Sequence, residues 1–319
     1  MALASSNPSV IRAFFALTWL TIRRQWRVKS LGWATFGLIA ITTLAVGLIS
    51  NGRNGWRFET RWSNRYQTLY QNYPEQLDRL QMLPLPGPGN GIEVAVMSSF
   101  RAMLNDQQFL SDYAFLNFSR WVVFALYLGF LLPLINLAFA SQAIGGEREG
   151  RTLIWLLTRP QPRWAIYVAK FFGVLPWCVL VSVAGLAAVC LVGGAVGREA
   201  FQIFVPSVIV GSIAFAALFH FLGAIMSRPA VIGLAYIFFF ETLVANLPGS
   251  LKQLSLNYYI RSTLFDAASQ RISTLIPEAL DVYAPAEPMS AWMTLIVASV
   301  AVTVIGAILF GRAESKEES

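Results

Sequence analysis

Charge is what this sequence has least of. Among 319 residues only 13% are Asp, Glu, Lys or Arg, against 56% hydrophobic, and the mean hydropathy is +0.56. Soluble domains carry roughly 25% charged residues, so too little polar surface is left to cover a globule in water. Histidine occurs once and cysteine twice, with no Cys/His cluster, which leaves zinc and haem centres without ligands. Cys178 and Cys190 stand twelve residues apart in one apolar run. That is about 18 Å along a helix, too far for a disulfide, and both read as small core residues. No G-x-x-x-x-G-K-[ST] phosphate loop is present, because the glycines near 87–91 and 145–150 lack the following lysine. No Ser/His/Asp set or paired carboxylate stands at membrane depth either, so no catalytic residue, cofactor or metal is expected, and the chain is expected not to be an enzyme.

What is abundant is apolar length. A helix rises 1.5 Å per residue, so about twenty apolar residues cross a bilayer core. Spans are expected at about 31–50, 121–141, 165–193, 203–226, 229–247 and 290–310. Residues 8–29 have a different pattern. Ile11, Phe15, Trp19, Ile22 and Trp26 share one helical face, and Arg12, Arg23 and Arg27 gather on another. Such a stripe predicts an amphipathic elbow helix lying in the membrane interface. Its positive charge follows the apolar part, opposite to a secretory signal. Residues 51–119 are polar and broken by Pro84-Leu-Pro-Gly-Pro-Gly-Asn-Gly91, and are expected to form a small extracytoplasmic subdomain between the first two spans. A short loop is expected around Arg198 and Glu199, a tight turn at Ser227-Arg228-Pro229, and helices at the outer interface within 250–288. The fold class is thus an all-α integral membrane protein with six transmembrane helices.

The net charge of +7 sits largely at the ends of apolar runs, which argues for headgroup contacts and against nucleic acid. Arg23, Arg24, Arg27 and Lys29 precede the first span, and Arg148, Arg151, Arg159 and Arg163 follow the second. Arg228 lies between the fourth and fifth, and Arg312 opens a tail at 312–319. Alternation places all of these on one side, and the positive-inside rule makes it the cytoplasm, with both termini there. Arg53, Arg57, Arg61 and Arg65 run against the rule locally, in a loop long enough to escape it.

The most informative segment is the connection at 145–163. Glu147, Arg148, Glu149 and Arg151 form a dense charge cluster, Leu153, Trp155, Leu156 and Leu157 an apolar surface, and Pro160 and Pro162 a stop. Physically this is either an exposed handle for another protein or a solvated loop whose charges hold topology. The segment resembles the cytoplasmic loop of ABC-2-type permeases, the membrane subunits of a class of ATP-binding-cassette exporters. Glu147, Arg148, Glu149, Thr152, Leu153, Leu156, Leu157, Thr158, Pro160, Arg163 and Lys170 occupy the places of that pattern. Gly150-Arg151 is a small departure, because many members place the glycine directly before the threonine.

The resemblance extends to the elbow, the six spans and the polar stretch before the last, so residues 1–319 read as a single transmembrane domain of this kind. It implies a permease subunit of the plasma membrane, or of the inner membrane in a cell with two, that works as a homo- or heterodimer among membrane lipids. It further implies an ATP-hydrolysing partner that binds the nucleotide and grips the loop, with Glu147, Arg148, Glu149, Arg151, Thr152, Leu153, Leu156, Leu157, Arg159, Pro160, Arg163 and Lys170 as coupling residues. Lys170 is expected to snorkel to headgroups and to steady the loop.

Glu241, Asn136, Gln142 and His220 stand inside apolar runs. Each is either a pathway residue or, more often, a side chain that pins helices together. Two other classes stay open: a stand-alone secondary transporter with Glu241 as proton site, and a membrane scaffold or sensor using 51–119. The first would favour inverted repeats, and none is evident.

Overall fold

The computed structural model describes residues 10–25, 30–51, 114–149, 162–246, 250–271 and 285–312. Most of the expected 51–119 subdomain, residues 150–161 of the expected handle and the tail beyond Arg312 lie outside the described residues. Within them the chain is helical: α1 (Val10–Gln25), α2 (Ser30–Ser50), α3 (Ala114–Ala143), the short α4 (Gly145–Glu149), α5 (Arg163–Val192), α6 (Gly194–Ile225), α7 (Pro229–Tyr236, continuing to Asn246 in altered pitch), α8 (Leu256–Arg271) and α9 (Pro288–Arg312). Two stretches wind as π-helix, Ser119–Leu131 in α3 and Ile237–Leu243 after α7.

Among the described residues five helices are long and apolar enough to cross a membrane: α2 from Gly32, α3, α5, α6 and α9. The expected fifth span falls on α7, whose apolar helix Pro229–Glu241 is shorter than these. A second difference concerns the start of α6. Arg198 and Glu199 lie in its opening turns, where a loop was expected. The reversal is made instead by Gly193 and Gly194, the latter at φ +69°, a conformation that side chains rarely adopt. A Cβ at Gly193 would sit 2.6 Å from Cε2 of Phe118, so α3 closes over this turn.

Packing orders the helices end to end. Gly185 and Gly47 bring α5 and α2 side by side, running the same way, through contacts at Ile39 and Val192. Gly223 of α6 meets Ser141 of α3, and Tyr167 of α5 stacks near Phe310 of α9. Ala143, Arg163, Ile225, Pro229 and Phe310 therefore share one end, and Ser50, Ala114 and Gly193 lie toward the other. In lipid there is no hydrophobic drive between helices, so close approach at small residues carries the packing. α3 and α6 form the centre, with 67% of their apolar windows buried, whereas α9 (22%) and α2 (28%) are peripheral. α1 lies along the first half of α5. Thr18 Oγ1 donates to Ala169 O at 3.3 Å, Trp177 Nε1 donates to Ile22 O at 3.0 Å, and Gly173 leaves room for Thr21. Its Phe15 and Trp19 face outward.

A Cβ at Gly223 would come 2.6 Å from the Ser141 carbonyl, whereas one at Gly37 would meet nothing within 4 Å. Gly223→Leu is expected to destabilise by about 1–3 kcal/mol through overpacking and to lower the thermal midpoint of the purified chain. Gly37→Leu, the control, leaves it unchanged; equal midpoints would contradict the α3–α6 contact.

Candidate functional site

The end of the bundle that gathers Ala143, Arg163 and Ile225 also gathers its charges. α3 ends in a 3-10 turn at Ser141–Ala143, and α4 begins two residues later, because Gly145 fits where a Cβ would lie 2.7 Å from Pro229 Cγ. This turn carries Glu147 inward. Its carboxylate Oε2 accepts a hydrogen bond from Lys170 Nζ, which also donates to Ala143 O at 3.1 Å. Both residues are removed from solvent, at 8% and 2% exposure. The sequence had Glu147 in an exposed cluster, and Lys170 reaching for headgroups while steadying the loop. The structure turns them toward each other, since a desolvated ammonium is held better by a carboxylate and a helix-end carbonyl than by a stretched route to water.

Arg148, on the neighbouring face of α4, reaches across to the end of α6. Its Nη2 donates to Ala224 O at 2.6 Å and its Nη1 to Met226 O at 3.2 Å. The last carbonyls of a helix lack intrahelical donors and carry its negative dipole end, so a guanidinium there satisfies both. Met226 is also the extended residue that ends α6 and leads through Ser227-Arg228 into α7. One segment thus holds three elements: α3 by continuity, α5 through Lys170, and the α6–α7 turn through Arg148. Glu149 closes α4 and Arg163 opens α5. Arg151, Thr152, Leu153, Leu156, Leu157, Arg159 and Pro160 lie outside the described residues.

The polar residues inside the apolar runs are engaged with protein. Asn136 Nδ2 donates to Leu132 O at 2.8 Å and to Ser182 Oγ at 3.3 Å, and its Oδ1 accepts from Ser212 Oγ at 2.9 Å. The two serine hydroxyls are 3.2 Å apart, and Tyr127 donates to the Ser182 carbonyl. This node ties α3, α5 and α6 at three points. His220 Nε2 lies 3.2 Å from Tyr167 O, its ring 4.6 Å from that of Tyr167 and 5.5 Å from that of Phe171. Gln142 sits half-buried in the last turn of α3.

Glu241 is fully buried and accepts four hydrogen bonds: Tyr236 OH at 2.6 Å and Leu256 N at 3.3 Å on Oε1, Ser255 Oγ at 2.6 Å and Asn257 N at 2.8 Å on Oε2. Ser255 in turn accepts from Tyr258 N at 3.3 Å, as a helix N-cap does. A carboxylate from α7 thus occupies the N-terminus of α8, where the dipole favours an anion. With its end satisfied, α8 can be buried. Ile260 packs 2.8 Å from where a Gly211 Cβ would be, and Arg261 Nη2 donates to Phe124 O at 3.4 Å. Within the expected 250–288 stretch this helix packs among α3, α6 and α9, while Leu251 and Leu254 before it are exposed.

Sequence reasoning passed over Ser182, Ser212, Ser255, Asn257 and Arg261. The serines give no signal in an apolar run, since small hydroxyls are ordinary in membrane helices. Arg261 was a readable one, a cation within a stretch otherwise taken as surface.

Comparison with known proteins bears on this region. Residues 92–246 match the family model described as "ABC-2 family transporter protein". A protein of Stutzerimonas stutzeri described as "Probable ABC transporter permease protein NosY" is 36% identical over 128 residues, 37% of this chain and 46% of that protein. Its namesake in Pseudomonas aeruginosa is 38% identical over 103 residues, 30% of this chain and 38% of that protein. The matched part thus spans about half the length of these relatives or less.

Lys170→Met removes the Lys170 ammonium from the buried Glu147 carboxylate and is expected to cost about 3–5 kcal/mol. Thermal midpoints should show the Glu147→Gln/Lys170→Met double variant recovering most of that loss; a double variant as unstable as the single would mean the two charges are not coupled. For Glu241→Leu, amide exchange at Leu256 and Asn257 is expected to rise at least tenfold, about 1.4 kcal/mol of lost protection; unchanged protection would mean that Glu241 does not hold the N-terminus of α8.

Proposed function

We propose that this chain, an ABC-2-type permease on the strength of its family match and relatives, is the membrane subunit of an exporter driven by a separate ATP-hydrolysing protein. That partner grips the connection at 145–163 from the cytoplasm, and two permease chains pair around the transport path. Six crossings complete the domain, the fifth made by α7 together with the inserted α8. α1 is the interfacial elbow, its Phe15 and Trp19 directed to lipid. The termini and the arginine-rich end are cytoplasmic, and the membrane is the plasma or inner membrane.

The observation that carries the proposal is the three-way attachment of α4. A segment that receives force does work on the spans only if it cannot slide, and α4 is held by a buried ion pair on one side and a guanidinium clamp on the other. Displacement of 145–163 then moves the start of α5 and the α6–α7 turn together, as a rigid-body switch. Tilting of α7 carries Glu241, and with it the N-terminus of α8. Nucleotide-driven closure at one end is in this way relayed to the far half of the bundle. Nothing in α4 itself supplies chemistry, and ATP is bound by the partner.

Two substitutions separate gripping from relaying. In membranes holding the chain and its ATP-binding partner, Leu156→Asp is expected to abolish co-purification of the partner. Arg148→Ala should retain the partner but lower transport-coupled ATP hydrolysis at least tenfold. Recovery of the wild-type chain alone, with proton-coupled flux, would overturn the proposal in favour of a secondary transporter.

A further inference from the structure

A groove of about 540 Å³ runs between the first turns of α5 and the last turns of α9, lined chiefly by Trp164, Val168, Val304, Ala307, Ile308 and Arg312. It opens away from the bundle: Trp164, Val304 and Ile308 are each about half exposed, at 56%, 51% and 47%. Its wall is apolar along its length and cationic at one mouth. Among the described residues no acidic side chain lines it, Arg312 stands at its end, and Arg163 precedes Trp164 on the first turn of α5.

We propose that this groove is a binding site for an anionic phospholipid, with one acyl chain along Val168, Val304 and Ile308 and the headgroup phosphate at Arg312. Two observations and one general rule point to the occupant. From Val304 to Arg312 is eight residues, about 12 Å of helix, close to the ~15 Å that is half of a ~30 Å hydrocarbon core; the groove is one leaflet deep. An exposed tryptophan marks headgroup level at the same mouth as the arginine, the place where aromatic belts form. Basic pockets between membrane helices at this depth take acidic headgroups through charge complementarity. The groove is also continuous with the exposed apolar stripe of α9, Met293, Ile296, Val297 and Val300, which belongs to the lipid-facing periphery. A lipid wedged here would bridge α5 and α9 beside Tyr167, three residues from Lys170. The proposal is independent of the ATP-driven reading, since it needs only that the chain spans a membrane.

Native mass spectrometry of the full chain, purified with any subunit it retains, tests this with phosphatidylglycerol and phosphatidylcholine of matched acyl chains. The wild type is expected to hold phosphatidylglycerol at least fivefold more than phosphatidylcholine. Arg312→Gln should erase that preference while leaving phosphatidylcholine binding as it was. Val304→Trp, which fills the groove from its exposed side with little demand on the fold, should lower retention of both. Equal retention of the two lipids by the wild type, or an unchanged preference in Arg312→Gln, would overturn the proposal. So would quantitative disulfide cross-linking of Ile308→Cys between two chains in membranes, because a second copy would then cover the face.

Discussion

A carboxylate and an ammonium withdrawn from water set the terms for the rest of this structure. Glu147 and Lys170 lie on different helices, 23 residues apart in sequence, and neither tolerates burial without the other. Their pairing fixes the height at which α3 ends relative to the start of α5. The chain can then turn at Gly145 against Pro229, which brings Arg148 to the carbonyl end of α6. Membrane helices adhere weakly, with typical interhelical hydrogen bonds contributing about 0.6 kcal/mol, so a charged pair and a doubly bonded guanidinium at one end define the register of the bundle. The Asn136, Ser182 and Ser212 node repeats that role at lower strength farther along the same helices.

The opposite design rule governs Glu241. Here a single carboxylate is held by four donors, none of them a cation: two hydroxyls and two backbone amides. A helix N-terminus is a ready site for an anion, so the charge that is costly in an apolar helix becomes the means by which α8 is inserted. The two acidic sites act at different depths and are connected through α7, which begins at the turn held by Arg148 and ends near the helix held by Glu241.

Much of this was legible in the sequence. Long apolar runs gave the crossing helices because length and hydropathy are local properties, and α5 was placed within two residues. The start of α6 was missed because Arg198 and Glu199 look like loop residues, whereas the reversal depended on one glycine at positive φ. The packing of α8 among other helices was not legible, because its polarity was counted without Glu241, which satisfies its N-terminus. The charges of Glu147, Arg148 and Lys170 were visible, and the family pattern marked them, but their direction was not. Which way a charge at a helix end points depends on the relative heights of neighbouring helices, a quantity that no single stretch of sequence contains.

In the proposed relay, force applied at 145–163 moves the α6–α7 turn through Arg148. Spin labels at Trp33→Cys and Arg228→Cys, in a Cys178→Ala/Cys190→Ala background, report the distance between α2 and that turn. With the proposed ATP-binding partner and a non-hydrolysable nucleotide present, the wild-type distance distribution is expected to shift, and the Arg148→Ala distribution to stay where it was although that partner is still bound. An identical shift in both proteins would contradict the relay.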